Sequence, residues 1–194
     1  MSVQSNVTAI NPNARLFINA VFHDLRPDEA PCLVINPKGA PDKWGVRSIE
    51  QLSKMDLSSQ GVYFQISATA KDNKGRGRRG RQNFKALCCV VLDDIGTKVK
   101  PPELKPSWIM ETSPKNYQYG YILEEPIRDV AMAAQFVKQV YKDSSRTDTG
   151  GANYIRLMRL NMGVNHKEGK NNFKVRLKLL DAKVRYTVEQ LIIA

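Results

Sequence analysis

The sequence predicts an α+β fold in which an antiparallel-rich sheet carries packed helices, with an N-terminal α/β module. Residues 62–66 alternate between apolar and polar side chains, the pattern of a half-buried strand. Residues 87–92 are continuously apolar, which is typical of a strand covered on both faces. Residues 126–141 carry apolar side chains at helical spacing, so the chain combines strands with helices.

The first half of the chain contains two predicted helices and a further strand. Residues 11–23 begin with Asn-Pro, a helix start signal, and continue with apolar side chains at helical spacing. Residues 32–35 form a short apolar strand that ends in a turn sequence. Ser48 and Gln51 form a capping box, which predicts the start of a second, short helix.

The second half begins with a predicted hairpin. Residues 108–110 and 119–123 are strands, and residues 113–116 between them have turn chemistry, in a loop longer than the tightest hairpin loop. Pro126 is predicted to start the clearest helix of the chain.

The last part of the chain is predicted to contain two more strands, residues 154–160 and 173–180, and a short helix at 187–194. A helix of about two turns is marginal alone, so we expect the chain to be a domain excised from a longer protein. We predict one domain, with an N-terminal module over about 1–85 and a metal- and nucleotide-binding module over about 86–180.

The charge balance points to a polyanionic partner. The chain has 30 Lys and Arg against 19 Asp and Glu, a net charge of +11 and a pI near 9.7. Such an excess favours nucleic acid as the partner, and the alternative is a basic protein whose charge only keeps it soluble.

Cysteine and histidine usage excludes several classes of site. The odd count of three cysteines, with two of them adjacent in an apolar run, supports neither a disulfide framework nor a zinc site. His23 and His166 have no metal-binding spacing. Because no signal peptide or membrane-spanning run is present, we expect a soluble, cytoplasmic protein of a bacterial or phage-infected cell.

The N-terminal module ends in a basic segment. Residues 71–85 contain seven basic residues, one acid and three glycines, which predicts a mobile basic loop. Arginines on a glycine-rich backbone suit contact with phosphates of any sequence. The candidate nucleic-acid-binding residues are Arg76, Arg78, Arg79 and Arg81.

Acidic residues follow the most apolar strand. Asp93 and Asp94 suit a divalent metal, because Mg²⁺ prefers carboxylate oxygens, but an Asp pair before Ile-Gly is also an ordinary turn. Neighbouring residues of a regular strand face opposite sides, so both can bind one metal only if the strand ends or bulges there. Asp148, within residues 147–151, is a third candidate carboxylate or a turn aspartate.

Two polar segments could contact phosphate. Residues 112–118 offer hydroxyls, an ammonium and an amide between two strands, which suit a phosphate or a simple hairpin loop. Arg156 and Arg159 have guanidinium groups suited to phosphate. Residues three apart in a strand face opposite sides, so both reach one ligand only if the chain turns, and a solvated basic edge is the alternative.

Taken together and in order, these segments resemble the archaeo-eukaryotic primase superfamily, in particular the RepB-type primase domains of phages and plasmids. The matching motifs are the apolar strand and acids at 90–94, the Ser-containing loop at 112–118, Asp148, Arg-x-x-Arg-Leu at 156–160 and Asn-x-Lys at 165–167. Three positions depart from the family pattern. The two acids of the first motif are adjacent rather than one residue apart, Gln118 stands where the family has His, and Asn161 stands where Pro is expected.

The resemblance implies a two-metal nucleotidyl transfer on a single-stranded DNA template, with nucleoside triphosphates as substrates. It implies Mg²⁺ or Mn²⁺ as cofactor, held by Asp93, Asp148 and Asp94. It implies contacts with the triphosphate or the template by Ser113, Lys115, Gln118, Arg156, Arg159 and Lys167. A fused or associated helicase is a natural partner for such a replication protein.

Two other function classes use a basic DNA-binding domain. A non-catalytic DNA-binding module of a replication initiator would need no convergence of carboxylates. A strand-nicking initiator would need a His pair near a nucleophilic Tyr, and two isolated histidines argue against that class.

Overall fold

The computed structural model describes residues 12–37, 44–142 and 152–193. The described residues form the predicted α+β fold. The helices are α1 (Pro12–Val21), α2 (Ile49–Ser53), α3 (Val130–Val140) and α4 (Val188–Ile193), with a 3₁₀ turn at Arg81–Asn83. The strands are β1 (Glu29–Pro37), β2 (Gly45–Arg47), β3 (Gln60–Ala70), β4 (Phe84–Ile95), β5 (Trp108–Ser113), β6 (Asn116–Ile127), β7 (Leu157–Arg159), β8 (Val164–Asn165), β9 (Phe173–Lys174) and β10 (Arg176–Leu180).

One antiparallel sheet organises the molecule. Its strands lie in the order β10-β5-β6-β4-β3-β1-β2, and β7 pairs with β3 as an eighth strand. Strands β8 and β9 form a separate small ribbon. None of the helices in the described part of the chain is long and apolar enough to cross a membrane.

The sheet forks at β3. Residues 67–69 of β3 pair with the start of β4, whereas residues 63–65 pair with β7. Beyond this junction β4 leaves β3 and pairs with β6 along most of its length. The second half of β4 and strand β7 therefore lie on the two sides of a gap in the sheet, here called the cleft. Asp93 of β4 and Arg156, next to β7, approach each other across it at 3.5 Å.

Helix α1 covers one face of the sheet. The ring of Phe17 contacts Phe64 of β3 and Trp108 of β5 edge-to-face, each with ring centroids 5.1 Å apart. The indole of Trp108 lies over Gly120, where an added Cβ would come within 1.8 Å of it. Glycine at this position therefore makes room for the largest side chain of the core.

Helices α3 and α4 cover the opposite face. Leu92 and Tyr121, each one residue along from the face that carries Trp108, line a cavity of about 900 Å³ with Val140 and Leu191. The hydroxyl of Tyr141, just after α3, donates to the carbonyl of Val91 and accepts from its N–H. It thereby satisfies the backbone of β4 on the side where no strand pairs with it.

Helix α3 begins later than the sequence predicts. Pro126 lies inside β6, and the helix starts at Val130, with the carboxylate of Asp129 accepting from the N–H of Met132 at 2.7 Å. The predicted apolar stripe consists of Ile127, Val130, Ala134, Val137 and Tyr141. It is wrong at Val130, which is 47% exposed, and the buried face contains Phe136 instead. A favourable N-cap three residues after the proline decided where the helix began.

Other predictions need correction in the strands. The β5–β6 connection is a tight two-residue turn, because Ser113 pairs with Asn116. The strand expected at 154–160 is limited to Leu157–Arg159, and that expected at 173–180 is divided between β9 and β10. Strand β3 is buried on both faces rather than one, because its polar side chains, such as Gln65 and Ser67, are buried as well as its apolar ones.

Candidate active site

A β-bulge ends the apolar part of β4. Leu92 pairs with Tyr119 and Ile95 with Tyr117, so β4 has one more residue than β6 in this interval. Asp94 has φ +60°, a left-handed conformation that a non-glycine residue adopts uncommonly. Two adjacent carboxylates can share one site only where the strand bulges or ends. The bulge at Asp94 meets this condition.

Asp93 lies at the cleft in a poorly solvated position. Its Oδ2 lies 3.5 Å from Nη2 of Arg156, and its Oδ1 accepts from the N–H of Asp94 at 2.9 Å. Burial raises the pKa of Asp93 above its usual value, although the charge of Arg156 and a hydrogen bond from Gln118 oppose the rise. Burial therefore makes the charged form of this carboxyl less favourable than it is in water.

Asp94 has the opposite electrostatic environment. Its Oδ2 lies 2.7 Å from Nζ of Lys98, and its Oδ1 accepts from Nδ2 of Asn116 at 3.2 Å. Burial pushes the pKa of Asp94 upward, but these two hydrogen bonds and the nearby charge of Lys167 outweigh it, so the pKa lies below its usual value. Two adjacent carboxylates with oppositely shifted pKa values are a feature of functional sites as well as of structural networks.

The β5–β6 hairpin forms the wall beside the two acids. Its turn contains Lys115 at φ +60°, exposed to solvent. Ser113 is 1% exposed and Gln118 4% exposed, so both lie beneath the surface of the site. Among the described residues, Oε1 of Gln118 is a buried acceptor with no hydrogen-bond donor. The hairpin thus offers one exposed cation above two buried polar side chains.

Arg156 and Arg159 do not converge on one point. Arg156 reaches Asp93, and its Cζ lies 5.8 Å from the ring centroid of Tyr141. In the described part of the chain its Nη1 is buried without a hydrogen-bond acceptor. Arg156 is therefore the arginine with an unused donor next to the acids.

Arg159 is 5% exposed and is held inside the protein. Its Nη1 donates to the carbonyl of Val164 at 3.2 Å, and its Nη2 to Oδ1 of Asn165 at 2.6 Å. Asn165 in turn donates from Nδ2 to the carbonyl of Thr112 at 2.8 Å. Burial lowers the pKa of Arg159. These hydrogen bonds connect β7 to the β5–β6 hairpin. The exposed Lys167 lies two residues after Asn165.

The third predicted carboxylate, Asp148, lies outside the described residues. Among the residues that are described, no group of three or more His, Cys, Asp and Glu side chains is arranged to hold a metal ion. The oxygen ligands that the described part of the site offers are those of Asp93 and Asp94, supported by the neighbouring amides.

The first part of the basic segment, residues 71–77, forms a hydrogen-bonded turn. The carboxylate of Asp72 accepts from the N–H groups of Lys74 and Arg76, both at 2.8 Å, and from the Arg76 guanidinium. Lys71 and Gly77 pair across its base. The sequence prediction counted the single acid as a minor charge, whereas Asp72 organises the turn. Arg78, Arg79 and Arg81 are exposed beyond it.

Sequence reasoning missed Lys98 and Tyr141 as residues of the site, and it included Asn116 only as part of the 112–118 segment. Lys98 and Asn116 bind Asp94, and Tyr141 lies beneath Arg156. Lys98 stands four residues after Asp94 in a tight turn that returns to the acid, where the carbonyl of Asp94 accepts from the N–H of Lys98 at 3.0 Å. The Gly-Thr sequence between them is the one local signal for that return.

The comparisons with known proteins identify the fold. No protein-family model and no curated protein matches the sequence. Among solved structures, the chain is similar to the archaeo-eukaryotic primase domain of the cyanophage S-2L primase-polymerase, with a TM-score of 0.65 and 11% identity over 95% of this chain and 98% of that one.

Two structures of the primase RepB′ are also similar. One has a TM-score of 0.58 and 15% identity, covering 93% of this chain and 61% of that one. The other, its catalytic domain in complex with initiator DNA, has a TM-score of 0.55 and 16% identity, covering 91% of each chain. The chain has the fold of archaeo-eukaryotic primase domains, which confirms at the level of the fold the resemblance that the motifs predict.

Proposed function

We propose that this chain is a DNA primase-polymerase domain that performs template-directed nucleotidyl transfer on single-stranded DNA in phage or plasmid replication. The observation that carries the proposal is the bulge at the end of β4. It brings Asp93 and Asp94 to the cleft between β4 and β7, beside Arg156 and the β5–β6 hairpin. The primase fold supports the same function.

The chemistry of the acids fits a divalent cation. Carboxylate oxygens are the ligands that Mg²⁺ and Mn²⁺ prefer. Burial raises the pKa of Asp93, and a bound cation would stabilise its charged form. Asp93 and Asp94, with Asp148, would hold the ions. When bound, the ions supply positive charge for the polyphosphate and lower the pKa of the attacking hydroxyl.

The basic side chains around the acids would bind the triphosphate. Arg156 has a buried Nη1 whose hydrogens no described residue accepts, and a phosphate oxygen would satisfy it with a charge-assisted hydrogen bond. Lys115 in the turn of the hairpin and Lys167, whose charge acts on Asp94, are exposed point charges. Ser113, Gln118 and Arg159 are buried, so we propose that they hold these contacting groups in place.

In the reaction, the primer 3′-oxygen forms a bond to the α-phosphorus of the bound nucleotide. The bond from that phosphorus to the β-phosphate oxygen breaks, pyrophosphate leaves, and the hydroxyl proton passes to water. The protein contributes by fixing the triphosphate with Arg156, Lys115 and Lys167, which is the positioning that phosphoryl chemistry requires. The basic turn with Arg76, Arg78, Arg79 and Arg81 would bind template phosphates.

The test is primer synthesis and extension on single-stranded DNA, with Mg²⁺ or Mn²⁺, by the wild type, Asp93→Asn and Asp148→Asn. We expect metal-dependent product from the wild type and background product from both variants. The matched control is Asp181→Asn, which removes an acid that pairs with Lys105 at 2.8 Å outside the cleft. This control should keep wild-type activity.

The alternative function is a non-catalytic DNA-binding module of a replication initiator. Gln118 favours it, because a neutral amide stands where the family has His. A folded wild type that binds single-stranded DNA but makes no product with either metal, on varied templates and nucleotides, would replace the polymerase by this alternative.

A further inference from the structure

A stack of arginine and aromatic side chains lies beside the edge strand β2. The guanidinium carbon of Arg79 is 5.1 Å from the ring centroid of Trp44, and the Trp44 and Tyr63 rings are 5.2 Å apart at 41°. On the far side, the guanidinium carbon of Arg159 is 5.0 Å from the ring of Tyr63. Together these four residues form the aromatic–arginine stack.

The hydrophobic core does not account for Trp44. The chain has two tryptophans, and Trp108 is fully buried at the centre of the core. Trp44 is partly exposed and is not among the residues of the core or those packed against it. A large, partly exposed aromatic ring outside the core needs another explanation, and recognition of a partner is the common one.

Three arginines lie near this ring. The guanidinium groups of Arg47 and Arg76 both donate to the carbonyl of Val46, at 2.8 and 3.5 Å, two residues along from Trp44. Arg79 covers the indole from the exposed side. Aromatic rings interleaved with arginines are the combination by which proteins hold single-stranded nucleic acid, because rings stack on bases and guanidinium groups contact phosphates.

We propose that Trp44 stacks on a base of single-stranded DNA and that Arg79 moves from the indole to the adjacent phosphate when the base arrives. This inference rests on the proposed function, for which it supplies a specific template contact. An exposed cation–π contact is weaker than the stacking of a base on an indole, so the exchange is favourable. The base takes over the ring face, and the displaced cation gains a phosphate.

The stack also connects the template surface to the candidate active site. Tyr63 and Arg159 are its inner members, and Arg159 continues through Asn165 to the carbonyl of Thr112 in the β5–β6 hairpin. A strand held at Trp44 would therefore lie along the route from the basic turn to the cleft.

The experiment is a fluorescence titration of the whole chain with an oligothymidylate that has no duplex structure. We expect the emission of Trp44 to be quenched as the oligonucleotide binds, and that of buried Trp108 to remain. In Trp44→Leu the quenching should vanish and the affinity should fall roughly fivefold to a hundredfold, the range for loss of one stacked base. Trp44→Tyr should restore most of the affinity.

Two comparisons separate stacking from charge. The slope of log affinity against log salt concentration should be the same in Trp44→Leu as in the wild type. Arg78→Ala should reduce this slope by about one, because one fewer counterion is released. A duplex of equal length should bind without quenching Trp44. Thermal unfolding of each variant checks that the fold is intact.

The inference is overturned if a bound oligonucleotide leaves the Trp44 emission unchanged, if folded Trp44→Leu binds as tightly as the wild type, or if the duplex quenches equally. In each case primer extension by the wild type reports separately on the proposed function. If the wild type extends primers and Trp44→Leu binds the oligonucleotide as tightly as the wild type, the stacking proposal is wrong and the proposed function stands.

Discussion

The amino group of Lys98 lies 2.7 Å from Oδ2 of Asp94, so an internal cation occupies one of the two carboxylates proposed to bind metal. The Lys98 side chain is 75% exposed, and an ion pair of that exposure is weak. A divalent ion with twice the charge can therefore displace the ammonium without a large rearrangement.

Replacing Lys98 should accordingly strengthen metal binding. We expect Lys98→Ala to bind Mn²⁺ about twofold to fivefold more tightly, because the competitor for Asp94 has gone. The measurement is the free Mn²⁺ signal in electron paramagnetic resonance, without nucleotide. Lys105→Ala is the matched control, because it breaks an exposed Lys–Asp pair of 2.8 Å outside the cleft. Unchanged or weaker Mn²⁺ binding by Lys98→Ala would show that Asp94 is not a ligand.

The raised pKa of Asp93 predicts a pH-dependent cost to stability. The folded state holds the proton of this carboxyl more tightly than the unfolded chain, so stability falls as pH rises from about 3.8 through the folded pKa. Asp93→Asn removes this cost. In the presence of a chelator, the variant should unfold at a higher temperature than the wild type at pH 7, by about 2–4 °C for each kcal/mol removed.

The same comparison well below pH 3.8 provides the control, because Asp93 is then protonated in both states. The gain in unfolding temperature should disappear there. An equal gain at both pH values would mean that Asn improves packing or hydrogen bonding, and not that ionisation of Asp93 is unfavourable.

Asn165 should stabilise the site through Arg159. Asn165→Ala leaves Nη2 of a buried guanidinium without its acceptor, which costs about 1–3 kcal/mol. We expect a lower urea midpoint and weaker binding of a fluorescent nucleotide. The control is Asn83→Ala, which removes an exposed amide that donates to a single carbonyl at 2.9 Å. Equal losses of stability and of nucleotide binding in the two variants would show that Asn165 has no special role.

Gly120 should tolerate no side chain while Trp108 is present. An alanine Cβ would lie 1.8 Å from the indole, so Gly120→Ala should destabilise by about 3 kcal/mol or more, or prevent folding. The double variant Gly120→Ala with Trp108→Leu should recover part of the loss, because the indole is then absent. Denaturant unfolding of the single and double variants measures this coupling.

The sequence predicted the fold class, the buried strand that carries the acids and the Ser48–Gln51 capping box, all of which are present. These features depend on local patterns of hydrophobicity and hydrogen bonding. The start of α3 was wrong because Pro126 also suits the end of a strand, and the Asp129 cap competes with it.

The remaining features of the site depend on residues distant in sequence. Whether β4 bulges at Asp94 is decided by its register with β6, and the partner of Arg159 is decided by the position of Asn165. The sequence shows that both acids can share one site only with a bulge or a strand end, but it does not show that a bulge occurs. The sequence likewise places Tyr141 in an apolar stripe, although its hydroxyl forms hydrogen bonds with the backbone of Val91.

The width of the cleft depends on the residue pairs at the fork, where β4 leaves β3. Ser67, Ala68 and Thr69 are the β3 residues that pair with β4, and beyond them the two arms of the sheet separate. Asp93 lies on one arm and Arg159 on the other. Because neighbouring strands are rotated relative to each other, a small change of twist at these pairs is magnified along the arms. Substitutions at this junction would thus change the width of the cleft, and with it the size of substrate that fits, without contacting the substrate.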